Sequence, residues 1–327
     1  HLGCGDGSLT AALKTNDRLQ VHGLSVNSED VAKARATITG EKLYGSVSVE
    51  KLSGDKLPYI DNFVNLIVVS DASGIRDEEI LRVLAPQGVA LTKTDAGWKK
   101  TVKPRPKEID DWTHFLHDPS GNAVAHDTVV GPPQHLQWLG SPRWSRHHDR
   151  MASMSALVSA AGRLFYIMDE GSRVSIQMPP KWTLVGRDAF NGTVLWKMPI
   201  PTWHSHLWPL KSGPTQLARR LVATKDVVYV TLGLEAPVTA IDSRTGKVRQ
   251  VFEETKSTEE LIVDQGTIFA LVNKGESQLK NYKPINAVVG DQGDVGKNWR
   301  WNEKPRVVTS VDAKSGKVNW SRTSPVA

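Results

Sequence analysis

Residues 184–196 read LVGRDAFNGTVLW, and the same pattern recurs as VTAIDSRTGKVRQ at 238–250 and as VTSVDAKSGKVNW at 308–320. Each copy contains an apolar run, an aspartate, a glycine and a second apolar run. Aspartate can hydrogen-bond the backbone of a turn and glycine accepts a positive φ, so each copy predicts two strands joined by a tight turn. The aspartates expected at equivalent turns are Asp188, Asp242 and Asp312.

A companion hairpin is predicted before each copy, and two hairpins make a four-stranded blade. The companion hairpins are predicted at 157–167, 221–230 and 261–270. Blades in tandem indicate an all-β propeller, which we expect over residues 112–327, with about three blades present and the ring incomplete at its C-terminal end. Three insertions are expected on loops, near 171–182, 201–219 and 275–305.

The start of the chain has a different pattern, HLGCGDG at residues 1–7 followed by an apolar stretch. It indicates a strand end, a glycine turn and a helix, which is a geometry that cradles nucleotides. Further strands and helices are predicted in alternation at 19–24, 28–38, 47–49, 66–69, 78–84 and 88–91, with Ser28 as a helix N-cap. The alternation predicts an α/β, Rossmann-like sheet over residues 1–103, with its ligand crevice at the carboxyl ends of the strands.

Composition and charge exclude several classes of partner. No apolar run is long enough for a membrane span, and the single cysteine, Cys4, excludes an intrachain disulfide. Residues 1–103 hold 13 of the 41 Lys+Arg and 13 of the 35 Asp+Glu, which leaves 28 against 22 beyond them. Because this basic excess is scattered, we expect no nucleic-acid partner. The basic, proline-rich stretch 97–108 is interpreted as a stiff linker, with the domain boundary at 104–111.

Three blocks of the first domain resemble the class I S-adenosylmethionine-dependent methyltransferases. They are the glycine motif at 3–7, the turn at 57–59 with the strand at 62–68, and the helix and turn at 79–88. The resemblance implies that S-adenosylmethionine lies against Gly3, Cys4, Gly5, Asp6 and Gly7. It also implies that Ser25 occupies the position where the family carries an acid for the ribose, and Ser53 the position of an acid near the adenine.

These substitutions weaken the expected cofactor site. Each lost charge-assisted hydrogen bond costs roughly 1.5–3 kcal/mol, or about a tenfold or larger loss of affinity. Asp55 lies close to Ser53, and Asn65 replaces a third acid of the family. No general base or nucleophile is identified, so a degenerate domain with weak S-adenosylmethionine binding is the interpretation, and an active methyltransferase is the alternative.

The repeats of the second domain resemble the pyrroloquinoline-quinone (PQQ) propeller repeat. Trp196 and Trp320 match the tryptophan of that repeat, which mostly packs between blades, whereas Gln250 departs from it. Residues 132–138 resemble the lone strand that closes such rings together with blades beyond Ala327. PQQ itself is not expected, because no platform tryptophan or calcium ligands can be assigned and Cys4 cannot form the vicinal disulfide that such enzymes often carry.

Eight of the ten histidines fall between residues 114 and 206, outside the repeats. Histidine, acid, arginine and tryptophan in such loops predict a ligand site, for a small molecule, a carbohydrate-like ligand or a protein partner; the alternative is that they order the loops. We expect the histidines to meet on one face, with a metal left unassigned. The candidates are Trp112, His114, His117, Arg146, His147, His148, Asp149, His204 and His206, flanked by Asp118, Trp144 and Trp203.

Together the two domains resemble a group of bacterial proteins that pair a methyltransferase-type domain with a PQQ-type propeller. The function predicted is ligand or partner binding by the propeller. The alternatives are an active methyltransferase targeted by its propeller and a PQQ-dependent oxidoreductase. Because the sequence begins at His1, already inside the glycine motif, we expect the natural N-terminus to lie outside it, and we favour an exported protein over a cytoplasmic one.

Overall fold

The computed structural model describes residues 1–72, 74–134, 136–141, 146, 153–175, 178–204, 215–275 and 306–324. It divides into two compact units: an N-terminal unit of His1–Ile109 with Thr128–Trp138, and a second, blade unit of Asp110–Asp127 with Leu139–Ala327. Within the described ranges, no helix has the length and apolar character that a membrane crossing requires.

The N-terminal unit alternates helices and strands as predicted. Its elements are α1 Ser8–Ala12, β1 Val21–Ser25, α2 Ser28–Gly40, β2 Val47–Lys51, β3 Val64–Val69, α3 Asp77–Val83, β4 Leu84–Thr94 and β5 Gly97–Val102. Strands β1 and β2 pair in parallel, as do β3 and β4, whereas β5 runs antiparallel to β4. Leu2 forms parallel bridges to both Leu24 and Val69 and so joins the two groups of strands at the glycine turn.

Helix α2 packs on this sheet through the predicted face. Val31, Ala34 and Ile38 are buried, and Ala34 and Ile38 are fully inaccessible to solvent. The N-cap, however, is Asn27 and not Ser28, because the extended backbone of Asn27 lets its side chain accept a hydrogen bond from the amide of Glu29.

Two sequence interpretations at domain junctions need correction. Residues 97–102 form strand β5 and not a linker, and lysines in an exposed edge strand are a common protection against aggregation. The described residues of 132–138 form no strand, since Pro132 and Pro133 lack the amide protons that a sheet requires. They group with the N-terminal unit, where Gln137 donates to the carbonyl oxygen of Asp61 at 3.0 Å.

The blade unit contains three four-stranded antiparallel sheets, called blades 1, 2 and 3, each with its strands in sequence order. Blade 1 is β6 Met154–Ala160, β7 Arg163–Asp169, β8 Trp182–Asp188 and β9 Val194–Pro199. Blade 2 is β10 Leu221–Ala223, β11 Val227–Thr231, β12 Val238–Asp242 and β13 Val248–Phe252, and blade 3 is β14 Thr258–Asp264, β15 Thr267–Val272, β16 Arg306–Asp312 and β17 Val318–Ser324. Helix α4 Thr215–Ala218 precedes blade 2, and a 3₁₀ turn at Glu253–Thr255 follows it.

The first strands of neighbouring blades lie side by side, β6 beside β10 and β10 beside β14. This arrangement is the one that successive propeller blades adopt. The sequence interpretation of tandem four-stranded blades is confirmed.

The predicted Asp–Gly turns are also confirmed and are equivalent in detail. Asp188, Asp242 and Asp312 each accept a hydrogen bond at the backbone oxygen from the glycine four residues later. Each aspartate also caps the turn by accepting two backbone amides at Oδ1. The three turn glycines have φ of 74°, 73° and 75° in chain order.

Consecutive blades dock through the last strand of one and the turn glycine of the next. Trp196 stacks on Phe165 within blade 1, and its Nε1 donates to the carbonyl oxygen of Ser243 in blade 2 at 3.0 Å. Its ring also covers Gly246. Gln250 takes the same role one blade later, because a Cβ on Gly316 would collide with its side-chain amide. The contact between blades 2 and 3 is therefore kept, although glutamine stands where the repeat has tryptophan.

The docking contact predicts that alanine destabilises the fold more at one turn glycine than at another of similar φ. Gly246 and Gly266 have φ of 73° and 77°, but an added Cβ would lie 2.7 Å from the Trp196 ring at Gly246 and would meet nothing within 4 Å at Gly266. Both changes to alanine place a Cβ in the left-handed region, at about 1–2 kcal/mol. Overpacking against Trp196 should add about 1–3 kcal/mol to the effect of Gly246→Ala alone. Urea denaturation of both variants measures the difference, and equal destabilisation would contradict the docking role.

Candidate functional site

The glycine turn of the N-terminal unit combines two packed glycines with one open glycine. Gly3 and Gly7 have φ of 70° and 84°, and an added Cβ would lie 2.6 Å from Asp71 at Gly3 and 2.7 Å from Ala34 at Gly7. Gly5, with φ of 52°, meets nothing within 4 Å. A ligand can therefore approach the backbone at Gly5, while the other two glycines bring the turn against β3 and α2.

The other residues of this turn differ in exposure. Cys4 is buried, and burial raises the pKa of its thiol, so it remains protonated at neutral pH. Asp6 is exposed and accepts the amide of Ser8 at 3.0 Å, the largest of the effects that lower the pKa of its carboxyl. The N-cap of α1 is Gly7, so Asp6 stabilises the turn that leads into the helix.

The carboxyl end of β1 carries a hydroxyl that already makes two hydrogen bonds within the fold. Ser25 is buried, its Oγ accepts the amide of Asn27 at 3.1 Å, and it donates to Asp30 Oδ2 at 3.3 Å. Ser53 is exposed and follows Leu52, whose amide donates to the carbonyl oxygen of Ser25 at 2.8 Å. The sequence analysis did not single out Asp30, the carboxylate that this network brings to Ser25.

In the blade unit, four consecutive residues connect all three blades; we call residues 111–114 the strap. Trp112 makes two hydrogen bonds with Ser159 near the end of β6. The amide of Trp112 donates to Ser159 Oγ at 2.9 Å, and the amide of Ser159 donates to the carbonyl oxygen of Trp112 at 2.7 Å. Thr113 O accepts the amide of Ala223 in β10 at 2.9 Å, and His114 Nε2 accepts the amide of Val263 in β14 at 3.1 Å. Trp112, Thr113 and His114 therefore bond the first strands of blades 1, 2 and 3 in turn.

Both ring nitrogens of His114 are engaged within the fold. Since Nε2 accepts a hydrogen bond from the amide of Val263, the ring proton lies on Nδ1, which is 2.8 Å from Thr113 Oγ1. The residue is 5% exposed, and burial lowers the pKa of its imidazole to about 4. His114 is therefore neutral at physiological pH and holds the strap to blade 3.

His117 lies in a polar cluster beside the strap. It is 3% exposed, its Nε2 is 2.7 Å from Asp110 Oδ2, and its Nδ1 is 3.3 Å from Asp118 Oδ2. Its ring contacts those of Trp112 and His126 edge to face, with centroid distances of 5.2 and 5.1 Å. Asp110 was not among the sequence candidates, and His126 was noted only as one of the histidines outside the repeats. Their signal in the sequence is only their presence beside His117 in a loop rich in histidine and aspartate.

Arg146 and His204 lie elsewhere in the blade unit. Arg146 forms a buried ion pair with Asp169 at 3.0 Å, and its guanidinium also donates to the carbonyl oxygens of Ser175, Met178 and Pro179. His204 packs against Trp182 at a centroid distance of 4.6 Å, and its carbonyl oxygen accepts the indole N–H of that tryptophan. The structure therefore uses Arg146 to order a loop.

Trp112, His114 and His117 lie together beside the strap, whereas Arg146 and His204 do not join them, so the described candidates do not form a single cluster. Trp203 Nε1 donates to Ser155 at the start of β6, whereas Trp112 bonds Ser159 near its end. Four residues of strand separate the two by about 13 Å. Of the remaining candidates, His147, His148, Asp149 and His206, with Trp144, lie outside the described residues.

Comparisons with known proteins bear on the first unit. Residues 1–88 match the family model of a methyltransferase domain, and no curated protein matches the sequence. The [4+2]-cyclase SpnF is 26% identical over 28% of this chain and 36% of its own, with a TM-score of 0.25. YcgJ from Bacillus subtilis is 23% identical over 28% of this chain and 41% of its own, with a TM-score of 0.24.

A third structure overlaps a larger part of the chain. A europium-containing methanol dehydrogenase covers 67% of it at 9% identity and a TM-score of 0.36, with 32% of its own length matched. The chain thus spans between 32% and 41% of the lengths of these three proteins. Residues 1–88 form a methyltransferase-type domain, as the glycine motif predicted, and several four-stranded sheets follow it.

The strap generates a prediction about His114. Changing His114→Ala leaves the buried amide of Val263 without its acceptor and removes the contact with blade 3, which should lower the free energy of unfolding by about 1–3 kcal/mol. Leu116→Ala, at an exposed position two residues further, is the control and should change it by less than about 0.5 kcal/mol. Chemical denaturation measures both, and an equal effect of the two changes would show that the strap contact contributes little.

Proposed function

We propose that this chain is a binding protein in which the blade unit recognises a ligand and the methyltransferase-type domain retains only weak affinity for S-adenosylmethionine. The observation that carries the proposal is the serine at the end of β1. The Oγ of Ser25 already accepts from Asn27 and donates to Asp30. Its single proton is therefore committed, and one lone pair is left for a ligand.

The residues of the crevice fit the cofactor in part. The open side of Gly5 leaves room for a ligand beside the backbone. An ionised carboxylate at the end of β1 would accept two hydroxyl hydrogen bonds from a ribose, and the Ser25 hydroxyl cannot replace both. Ser53 is likewise uncharged. Both serines therefore support weak binding of the cofactor.

Strand topology supports a ligand-binding face at one end of the blades. The three insertions predicted from the sequence connect β7 to β8, β9 to β10 and β15 to β16. The strand ends that they connect lie at the same end of the blades as the starts of the first strands β6, β10 and β14. Long loops on one end of a rigid scaffold are a common way to build a binding site. We call this end the insertion face and assign ligand binding to it, since all three predicted insertions leave from it.

The chemistry at the insertion face favours a polar ligand with apolar surfaces. Trp203, His204 and Arg220 lie at this end of the blades and are buried, so they support the base of the face. The 201–219 insertion also contains His206 and Trp208. Indole rings stack on sugar-like or aromatic groups, while imidazole and guanidinium groups hydrogen-bond hydroxyls and carboxylates. A carbohydrate-like small molecule fits this combination, and a protein partner is the other class that such a face accepts.

An active methyltransferase is the second candidate function. It is favoured by the family match over residues 1–88 and by the open backbone at Gly5. A PQQ-dependent oxidoreductase has weaker support, because no described residue is assigned to the quinone. The two leading candidates differ in the affinity expected for S-adenosylmethionine, which is directly measurable.

Titration calorimetry of the intact chain with S-adenosylmethionine should give a Kd weaker than about 100 μM, because two missing charge-assisted bonds weaken micromolar binding by about a hundredfold or more. The double change Ser25→Asp with Asp30→Asn restores an acid at the end of β1 without placing two carboxylates together. It should tighten binding about tenfold. Asp30→Asn alone is the control, and a low-micromolar Kd for the unchanged chain would refute the degenerate interpretation.

An array of neutral and acidic oligosaccharides tests the assignment of the insertion face. The intact chain should bind a defined group of sugars on the array. A chain that is folded by circular dichroism and binds no sugar across the array would remove carbohydrates from the ligand classes of this face.

A further inference from the structure

The structure assigns a second kind of site, outside both the cofactor crevice and the insertion face: we propose that Asp110, His117 and His126 bind a divalent transition-metal ion of the zinc type. One ligand atom from each residue lies within 4.8 Å of the other two. In tetrahedral zinc sites with bonds of about 2.0–2.1 Å, ligand atoms stand about 3.4 Å apart. Small side-chain adjustments therefore close the three around an ion.

The two nitrogens of the His117 ring face two different carboxylates. Nε2 is 2.7 Å from Asp110 Oδ2, and Nδ1 is 3.3 Å from Asp118 Oδ2. A neutral imidazole has one N–H and one lone pair, so it can donate to only one of them. With the proton on Nε2, the lone pair of the buried Nδ1 faces the Asp118 carboxylate, and Nδ1 makes no hydrogen bond to the described residues.

A metal ion on Nε2 resolves this conflict. The ring proton then resides on Nδ1, where the Asp118 carboxylate can accept it. Metal-bound histidines usually donate their other ring N–H to a carboxylate or a carbonyl oxygen, which fixes the tautomer and raises the basicity of the ligand. Asp118 is placed for this supporting role, and Asp110 is left to coordinate the ion directly.

The carboxylate of Asp110 is oriented by two backbone amides. Its Oδ2 accepts the amide of His126 at 2.8 Å, and its Oδ1 accepts the amide of Asp111 at 2.7 Å. The bond from the His126 amide spans the loop between the two residues. The same bond brings residue 126 back to residue 110, which sets the His126 ring beside that of His117.

The donor set selects the class of metal. Two imidazoles and one carboxylate favour zinc and its neighbours in the first transition row, whereas calcium and magnesium prefer sites made only of oxygen atoms. Asp110 and His126 are exposed and His117 is buried. The fourth coordination position therefore faces solvent, as in zinc sites that keep a bound water.

The site brackets the strap. Asp110 precedes residues 111–114 and His117 follows them, so an ion bound by both closes the chain on either side of the contacts with the three blades. His117 also adopts a φ of 75°, an uncommon conformation for a residue with a side chain. We therefore expect bound metal to raise the melting temperature of the blade unit.

Cobalt and zinc titrations of the intact, chelator-treated chain test the proposal. Co²⁺ should bind one equivalent with visible absorption typical of an ordered site, and Zn²⁺ should displace it and raise the melting temperature by several degrees. Asp110→Asn and His126→Gln should each weaken binding of that equivalent by about tenfold or more. Both positions are exposed, and the side-chain oxygen that Asp110→Asn retains can still accept the His126 amide, so the variants are expected to fold.

Glu108→Gln is the matched control, because it removes an exposed carboxylate two residues before Asp110 and should leave metal binding unchanged. The equivalent bound at this site is the one that both ligand variants weaken and Glu108→Gln does not. Failure of the chain to bind Co²⁺ or Zn²⁺ would overturn the proposal. So would an equivalent that persists unchanged in both Asp110→Asn and His126→Gln. Neither outcome affects the proposals for S-adenosylmethionine or for sugars.

Discussion

Four consecutive residues contact all three blades of a unit in which each blade otherwise docks on the next one. Blades 1 and 2 meet through Trp196 and Gly246, and blades 2 and 3 through Gln250 and Gly316. The strap is different, since residues 111–114 bond the first strand of every blade. Backbone and imidazole hydrogen bonds of this kind are individually modest, but those to Ala223 and Val263 satisfy buried amides that would be costly to leave unpaired. The relative positions of the three first strands, and of the loops at their other ends, depend on it.

The blades were predictable because their determinants are local. An aspartate and a glycine in a turn, with alternating apolar residues on both sides, specify a hairpin within about fifteen residues of sequence. Even the substitution at Gln250 is understandable, because the docking contact needs a side chain that covers Gly316 and does not need an indole. Strand β5 was missed because its lysines resemble a solvated linker, which is also the composition of an exposed edge strand.

The candidate sites were predictable only as far as they depend on nearby residues. The glycine turn and the serine at the end of β1 followed from the family pattern, whereas the bond between Ser25 and Asp30 needed the geometry of α2. The histidine-rich loops showed composition but no partners. His114 bonds a strand far along the chain, Arg146 pairs with Asp169, and Asp110 meets His126 across a turn. These polar contacts between distant residues leave no periodic trace in the sequence.

The distance along the chain between the partners of the strap has a consequence for how the blade unit assembles. His114 and Val263 are separated by 149 residues, whereas each blade is built from adjacent hairpins. Loop-closure entropy disfavours early formation of such a contact, so hairpins and blades should form first and the strap should seat late. Interactions that form after the transition state mainly slow unfolding. The strap is therefore expected to govern the lifetime of the native state more than the rate at which it is reached.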